Sequence, residues 1–411
     1  MTKARHILMP SDVFPPRCGG AGWSAHALAL ALQAHGERVT ALVPTLSDSA
    51  LFASPNTLVD VLGVPTIRTA TARHPWRLWH QSMVVAQLNQ SLRQLANLAP
   101  TTIIHAQHML SAHAAIPLQN RRTKVVITVR DHWPWDMRAT AMHMAGDQRT
   151  WQGMYATLRL HQRPPYHQLV LPAYVLQMRA RAQMLHDATA VIAVSQHMAK
   201  RIITHVPTAN VVTIPNMVDV VDIQHRISTA PKLEIPERFA LFVGKLEANK
   251  GAQFLPELIQ QIRPPALVVA GDGPLKEQIR QAAMQVNVPC VMLDWTDHDD
   301  VLRLMARCEA LWFPSSWDEP LSRVLLEALA SGAPIVAMPT GGTPEIIVDG
   351  VSGVIAADIA AFVDHAQRLH HDMQWRQQLS GGATAYATTT FAVPVVIAQV
   401  QRLYDQIAGT P

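Results

Sequence analysis

Short runs of apolar and β-branched residues alternate along this chain with longer stretches whose apolar positions recur every three to four residues. In the first half the runs beginning at His6, Arg38, Thr102, Val125, Ala190 and Val211 read as strands that are apolar on both faces. The stretches Trp23 to His35 and Trp76 to Leu98 carry the helical period instead. The second half repeats the scheme, with strands from Ala240, Ala266, Val291, Ala310 and Pro334 and helices from Phe254, Leu275, Val301, Arg323 and Thr343. Apolar strands separated by amphipathic helices predict parallel sheets covered on both faces. From Ile359 onward the pattern is helical only, which predicts a tail able to pack back across the first domain.

Two α/β domains in series follow from this alternation, since a single core usually stops growing near ~250–300 residues and the chain has 411. Residues 1–205 are read as an N-terminal Rossmann-like domain and 206–236, with Pro207, Pro215, Pro231 and Pro236, as a linker region. Residues 237–385 are read as a second, C-terminal Rossmann-like domain, and 386–411 as a helix returning towards the first. Residues 137–185 interrupt the rhythm where a connection normally takes ~2–6 residues. With Trp151, Tyr155, Tyr166 and Tyr174 they read as a functional insertion or lid.

Composition narrows the class. Half the residues (49%) are hydrophobic and no block of like charges appears, which argues against disorder and against a nucleic-acid-binding tail. The formal net charge of +4 hides an asymmetry: residues 1–205 carry 20 basic and 8 acidic side chains, net +12, and the remainder 14 and 22, net −8. A basic half favours an anionic partner or an anionic membrane surface. Cys18, Cys290 and Cys308 are few, distant and unpaired in spacing, so neither a disulfide framework nor a zinc ribbon is expected. A reducing, cytoplasmic compartment fits. The N-terminus lacks signal-peptide character and no run reaches the ~18 apolar residues of a membrane span. Any membrane contact would be peripheral, on the inner face. The basic aromatic segment from Arg73 through Trp76 and Trp79 to Met83 is the place for it, or else a helix packed on the core by its two tryptophans.

Candidate chemistry concentrates in strand-to-helix loops. Glu319-Pro-Leu-Ser-Arg-Val-Leu-Leu-Glu327 follows a predicted strand and opens a helix with Ser322 as N-cap. Glu319 then stands at the C-terminal end of a parallel strand, where open α/β sheets bind ligands, and Glu327 lies just over a turn into the helix. Two carboxylates so placed suit a polyhydroxylated ligand. Lys245 and Lys250, two of only seven lysines, share the loop Gly244 to Gly251 and suit an anion such as phosphate. Gly19 and Gly20 lie in a similar loop after the first strand, and Pro339 to Glu345 forms another glycine turn entering a helix. Neither follows the dinucleotide or P-loop pattern.

The order Gly-Gly loop, His105-Ala-Gln107-His108, Val194-Ser195, Ile214-Pro-Asn216, Gly-Lys-x4-Lys-Gly, Ala270-Gly-Asp-Gly-Pro274, Glu-Pro-x6-Glu-Ala and Gly-Gly-x-x-Glu resembles glycosyltransferase family 4. These are retaining enzymes of GT-B architecture, two Rossmann-like domains facing a cleft. The resemblance covers nearly the whole chain and is strongest from Phe242 to Gly353. It implies transfer of a sugar, a hexose by expectation, from a nucleoside diphosphate donor to an acceptor hydroxyl in glycan, glycolipid or polysaccharide assembly. Partners are thus a nucleotide sugar and an acceptor sugar or lipid-linked glycan, with no nucleic acid. It further implies that Lys245, where the family usually has Arg, holds the diphosphate with Lys250. Glu327 would bind the ribose, Glu319 the donor sugar, Leu321 and Ser322 would offer backbone N–H groups, and Gly19 and Gly20 would approach the phosphate. No metal or other cofactor is expected.

The chain departs from the family at Leu321-Ser322, where Phe-Gly is common, at Gln107, where a sugar-contacting His often lies, and at Met217, where Gly is usual. For the acceptor, Asp131 or His132, at the end of a first-domain strand, would orient or deprotonate a hydroxyl. A nucleotide-sugar epimerase of the same architecture and a non-catalytic nucleotide-sugar-binding protein are the alternative readings.

Overall fold

The computed structural model describes residues 5–15, 18–45, 58–70, 77–97, 102–136, 139, 149–161, 166–229 and 234–409. Contacts divide the chain into two units, Met1–Pro215 together with Ile397–Pro411, and Asn216–Val396.

The first unit holds β1 His6–Pro10, α1 Gly20–Ala34, β2 Arg38–Thr45, β3 Leu58–Val61, β4 Val64–Ala70, α2 Arg77–Ala96, β5 Thr102–Ala106, α3 Met109–Ala115, β6 Thr123–Val129, α4 Trp151–His161, α5 Tyr166–Asp187, β7 Ala190–Ala193, α6 Gln196–His205 and β8 Val211–Thr213. The sheet order is β3-β4-β2-β1-β5-β6-β7-β8, parallel throughout except for β3, which runs antiparallel to β4. Ile7, Leu8, Met9, Ile103, Ile104 and Val125 to Ile127 are all 0% exposed. That is the burial the doubly apolar runs predict.

The hairpin β3–β4 was not expected from the pattern. Its buried inward positions include threonines, Thr66 and Thr69, whose hydroxyls donate to Val64 O (2.9 Å) and Val43 O (3.4 Å) and so satisfy themselves inside the core. The interruption at 137–185 contains two helices, α4 and α5. They pack through Met154, Leu158, Tyr174 and Met178, with Leu171 and Val175 alongside. Pro172 lies inside α5.

The second unit starts with α7 Val220–Thr229, inside the segment read as a linker region, and continues β9 Ala240–Val243, α8 Leu255–Ile262, β10 Leu267–Ala270, α9 Lys276–Gln285, β11 Cys290–Met292, α10 His298–Arg307, β12 Ala310–Phe313, α11 Arg323–Ser331, β13 Ile335–Ala337, α12 Thr343–Ile346, β14 Val354–Ile355, α13 Ile359–His371 and α14 Met373–Tyr386. Its six strands are parallel in the order β11-β10-β9-β12-β13-β14. Phe242, Leu258, Ile259, Trp312 and Phe362 centre its core.

After α14 a π-helical turn, Ala387–Phe391, leads into α15 Val393–Gly409. The last turns of α15 belong to the first unit. There Tyr404 is fully buried and its hydroxyl lies 2.7 Å from Nδ1 of His105, whose Nε2 meets Thr128 Oγ1 at 2.6 Å. Burial drives the His105 imidazole down to about 3, so the ring is neutral in this chain of bonds.

Candidate active site

In the second sheet the chain runs outward from β9 to β11 and then begins again at β12 on the other side of β9. The crevice between the C-terminal ends of β9 and β12 is therefore a topological switch point, where open α/β sheets take their ligands. The loops that leave those two strands are tied together. The Trp317 N–H donates to Asn249 O at 3.1 Å, with Ser315 Oγ at the same distance from that oxygen, and Ser316 Oγ donates to Ala248 O at 2.7 Å.

Gly251 shows why the lysine loop ends in glycine. Its φ is +75°, and a Cβ there would lie 1.8 Å from Pro314 O, so only glycine allows the loop to close onto β12. This closure carries Lys250 to Glu319. The lysine Nζ donates to Glu319 Oε1 at 2.8 Å while lying 4.4 Å from the centroid of the Trp317 ring. Ser315 Oγ donates to the same carboxylate oxygen at 2.9 Å, and Glu319 is only 2% exposed. The glycine turn Pro339 to Glu345 completes the seat. Gly341 (φ +56°) would place a Cβ 2.3 Å from Glu319 O, and the Gly342 N–H donates to that oxygen at 2.6 Å. Lys250 and Glu319, assigned from the sequence to different parts of the donor, are thus ion-paired here. Lys245, five residues earlier, is exposed.

Ser322 caps α11, its Oγ accepting from the Leu325 N–H at 3.4 Å, so the N–H groups around Leu321 and Ser322 stand at a helix N-terminus that favours negative charge. Within α11, Glu327 Oε1 accepts from Arg323 Nε at 2.7 Å and from His298 Nε2 at 3.0 Å. Burial raises the carboxyl's pKa, but Arg323 and His298 outweigh it and hold the group below the ordinary range, ionised. Sequence reasoning missed His298, whose partners Arg226 and Glu327 are remote in the chain, and Ser315, which meets Glu319 four residues on only through the turn of the loop. Arg323 was readable, since i,i+4 spacing puts it on the same helix face as Glu327.

The first unit has its own switch point, between β1 and β5. Asp12, just past β1, accepts from the Leu110 and Ser111 N–H groups at 2.8 and 2.7 Å and so caps α3. Asp131, just past β6, accepts from the Trp133 N–H at 2.8 Å. Each keeps part of its surface open, yet burial pushes both carboxyls up to about 6, and Asp12 adds to the rise at Asp131. Asp12 was not anticipated, because in sequence it looks like an ordinary turn residue. His132 is fully buried. Of the two residues proposed to meet an acceptor, only Asp131 offers exposed surface, which corrects the expectation for His132. Gln107 is also fully buried, its amide oxygen accepting from Arg130 at 2.6 Å. Gly19 is the N-cap of α1 and Gly20 its first residue, both exposed.

Among the described residues no group of three or more His, Cys, Asp or Glu side chains could hold a metal ion. No helix among them is long and apolar enough to cross a membrane. Of the basic aromatic segment, residues 73–76 lie outside the described residues, and α2 starts at Arg77.

Two family models match in succession, "Glycosyltransferase Family 4" over residues 18–222 and "Glycosyl transferases group 1" over residues 237–372. The glycogen synthase of Mycobacterium tuberculosis is 26% identical, the match covering 97% of this chain and 94% of that protein. Spore coat protein SA of Bacillus subtilis is 28% identical over 41% of this chain, and that match spans 49% of its length. Among solved structures, the sucrose-phosphate synthase of Thermosynechococcus elongatus superposes with a TM-score of 0.72 at 19% identity, covering 98% of this chain and 99% of the other. Anabaena HepE in complex with UDP-glucose superposes with a TM-score of 0.67 at 19% identity, covering 98% and 99%. These last two likenesses concern the fold, and they agree with the paired parallel sheets described above. The family models add the loops built on those sheets, and the chain accordingly belongs to the group 1 and family 4 glycosyltransferases of GT-B architecture.

Proposed function

We propose that this glycosyltransferase moves a sugar from a nucleoside diphosphate donor to an acceptor hydroxyl with retention of anomeric configuration, in the assembly of a glycan, glycolipid or polysaccharide. The observation that carries the reading is the switch point of the second unit, where Lys250 pairs with Glu319 in the loop that enters α11, the helix that carries Glu327. The donor diphosphate lies against Lys245, Lys250 and the N–H groups at Leu321 and Ser322. Glu319 takes hydroxyls of the donor sugar and Glu327 those of the ribose. HepE in complex with UDP-glucose and a starch synthase bound to ADP, both of this fold, support a nucleotide sugar as donor.

As the anomeric bond breaks, negative charge grows on the departing diphosphate. Fixed cations and oriented N–H groups stabilise that charge without reorganising, and loss of one such donor costs on the order of 10²–10³ in rate. With that charge supplied by lysines and a helix terminus, the reaction proceeds without a bound metal. On the acceptor side, Asp131 receives the hydroxyl proton, its raised pKa matching the task of a base near neutrality. Retention follows from attack on the face the leaving group vacates, with Glu319 held too firmly by Lys250 and Ser315 to serve as a free nucleophile.

The test is incubation with UDP-, ADP- and GDP-linked hexoses and a panel of sugar acceptors, followed by mass spectrometry and NMR of the product. Release of nucleotide with an adduct of the donor's own anomeric configuration supports the reading. An inverted linkage removes the retaining mechanism, and an altered donor sugar without transfer assigns an epimerase.

A further inference from the structure

Three helices of the second unit each place one side chain in a single line. Arg226 of α7 reaches His298, the first residue of α10, and His298 reaches Glu327 of α11. The Arg226 NH2 lies 3.2 Å from His298 Nδ1. A guanidinium only donates, so Nδ1 must present its lone pair. His298 therefore carries its proton on Nε2, the nitrogen 3.0 Å from Glu327 Oε1, and donates there as a neutral ring. Arg226 is itself anchored by Asp299, with Asp222 at 3.4 Å on its own helix.

The oxygen that receives this bond decides its consequence. Arg323 Nε also ends on Oε1, at 2.7 Å, so both donors share one oxygen, and among the described residues Oε2 carries no bond. An arginine four residues from a glutamate on one helix face has a lower-energy alternative, the two-pronged fork in which both carboxylate oxygens are taken. His298 opposes that fork by pulling Oε1 towards α10.

We propose that His298, fixed in its tautomer by Arg226, is a positioning residue that keeps Glu327 Oε2 open for the vicinal hydroxyls of the donor's ribose. This rests on the reading of Glu327 as the ribose ligand and adds the device that keeps it available. The consequence is a discrimination between ribose and deoxyribose that depends on a side chain touching no ligand.

The experiment is calorimetric titration of the full chain with UDP, ADP and GDP. The diphosphate that binds most tightly is then compared with its 2′-deoxy and 3′-deoxy counterparts in wild type, His298→Ala, His298→Gln and Glu327→Gln. Wild type is expected to prefer the ribonucleotide by about tenfold, the scale of one hydrogen bond to a charged group. His298→Ala should bring that ratio close to one while leaving the deoxy affinities unchanged. His298→Gln, whose amide N–H reaches the place of Nε2, should restore most of it. If His298→Ala keeps the wild-type ratio while Glu327→Gln abolishes it, the positioning role is overturned and the ribose reading stands. If Glu327→Gln also keeps the ratio, or wild type shows none, the ribose reading itself fails. His298 has a partly exposed side chain on the surface of α10, and an unchanged circular dichroism spectrum and melting temperature would verify folding of each variant.

Discussion

Lys250 Nζ lies 2.8 Å from Oε1 of Glu319, a carboxylate 2% exposed, so the cation proposed to hold the phosphate also neutralises the acid proposed to hold the sugar. Removing the lysine strands a buried charge, at a cost of about 3 kcal/mol. Lys250→Ala should therefore lower the melting temperature and reduce turnover at least about tenfold. Adding Glu319→Gln should recover much of the stability without recovering turnover. A double variant as unstable as the single one would show that the pair does not act as a unit. Thermal melts and initial rates on both variants decide it.

Gly251 offers a purely steric test of the same loop. Gly251→Ala combines a left-handed backbone at φ +75° with a Cβ that would sit 1.8 Å from Pro314 O. The loop must shift, and the cost should exceed about 3 kcal/mol. Chemical denaturation is expected to show that loss, with nucleotide affinity falling in parallel because Lys250 moves with its neighbour. A melting temperature equal to wild type would refute the close approach.

The Asp131 carboxyl, pushed up to about 6 by burial, against the Trp133 N–H bond and with Asp12 and Asp136 adding to the rise, gives a pH prediction with a definite sign. Its folded pKa exceeds the unfolded value, so the stabilising influence of its proton is full below about 3.8 and is lost as pH rises through about 6. Asp131→Asn should accordingly stabilise the protein at pH 7.5, by on the order of 1–3 kcal/mol, and by little at pH 4. Turnover of wild type should rise with an apparent pKa near 6, and the variant should be slow at every pH. A stabilised variant with wild-type rates would remove Asp131 from the acceptor chemistry.

The proposed supply of positive charge by Lys245, Lys250 and the start of α11 predicts indifference to chelation. Dialysis against EDTA should leave the initial rate unchanged, and added magnesium or manganese should not raise it. A rate that falls on dialysis and returns with metal would place a cation in the reaction.

Tyr404→Phe removes one oxygen from the end of α15. It leaves His105 Nδ1 without its partner at 2.7 Å in a fully buried position, at a cost of about 1–3 kcal/mol. Urea unfolding monitored in the first unit should shift accordingly. Nucleotide affinity, which the second unit supplies in the proposed reading, should stay as it was.

How far these features could be read from the sequence depends on the range of the interaction. The doubly apolar strands from His6 to Val129 and from Ala240 to Ala337 declared themselves because burial on both faces leaves a continuous local run. Glu319 and Glu327 were legible for a related reason: a strand, a loop and a capped helix fix their relative position within a few residues. The hairpin β3–β4 was hidden because its interior uses Thr66 and Thr69, whose hydroxyls find carbonyl partners only once folded. His298, Arg226 and Asp12 carried no local signal, since each acts on a group brought to it by another element. The pairing of Lys250 with Glu319 was likewise invisible, although the glycine that makes it necessary, Gly251, stood in plain sight.

The first unit is discontinuous: its central strand β5 is sealed through His105 by Tyr404, 299 residues further along the chain. During synthesis the strands of that sheet emerge first, but the side chain that closes over His105 leaves the ribosome only after every element of the second unit. The first unit therefore stays incompletely covered until the residues of the second have been translated. A nascent chain arrested before residue 397 should expose the His105 side of β5 to proteases and chaperones even though its own sheet is fully translated.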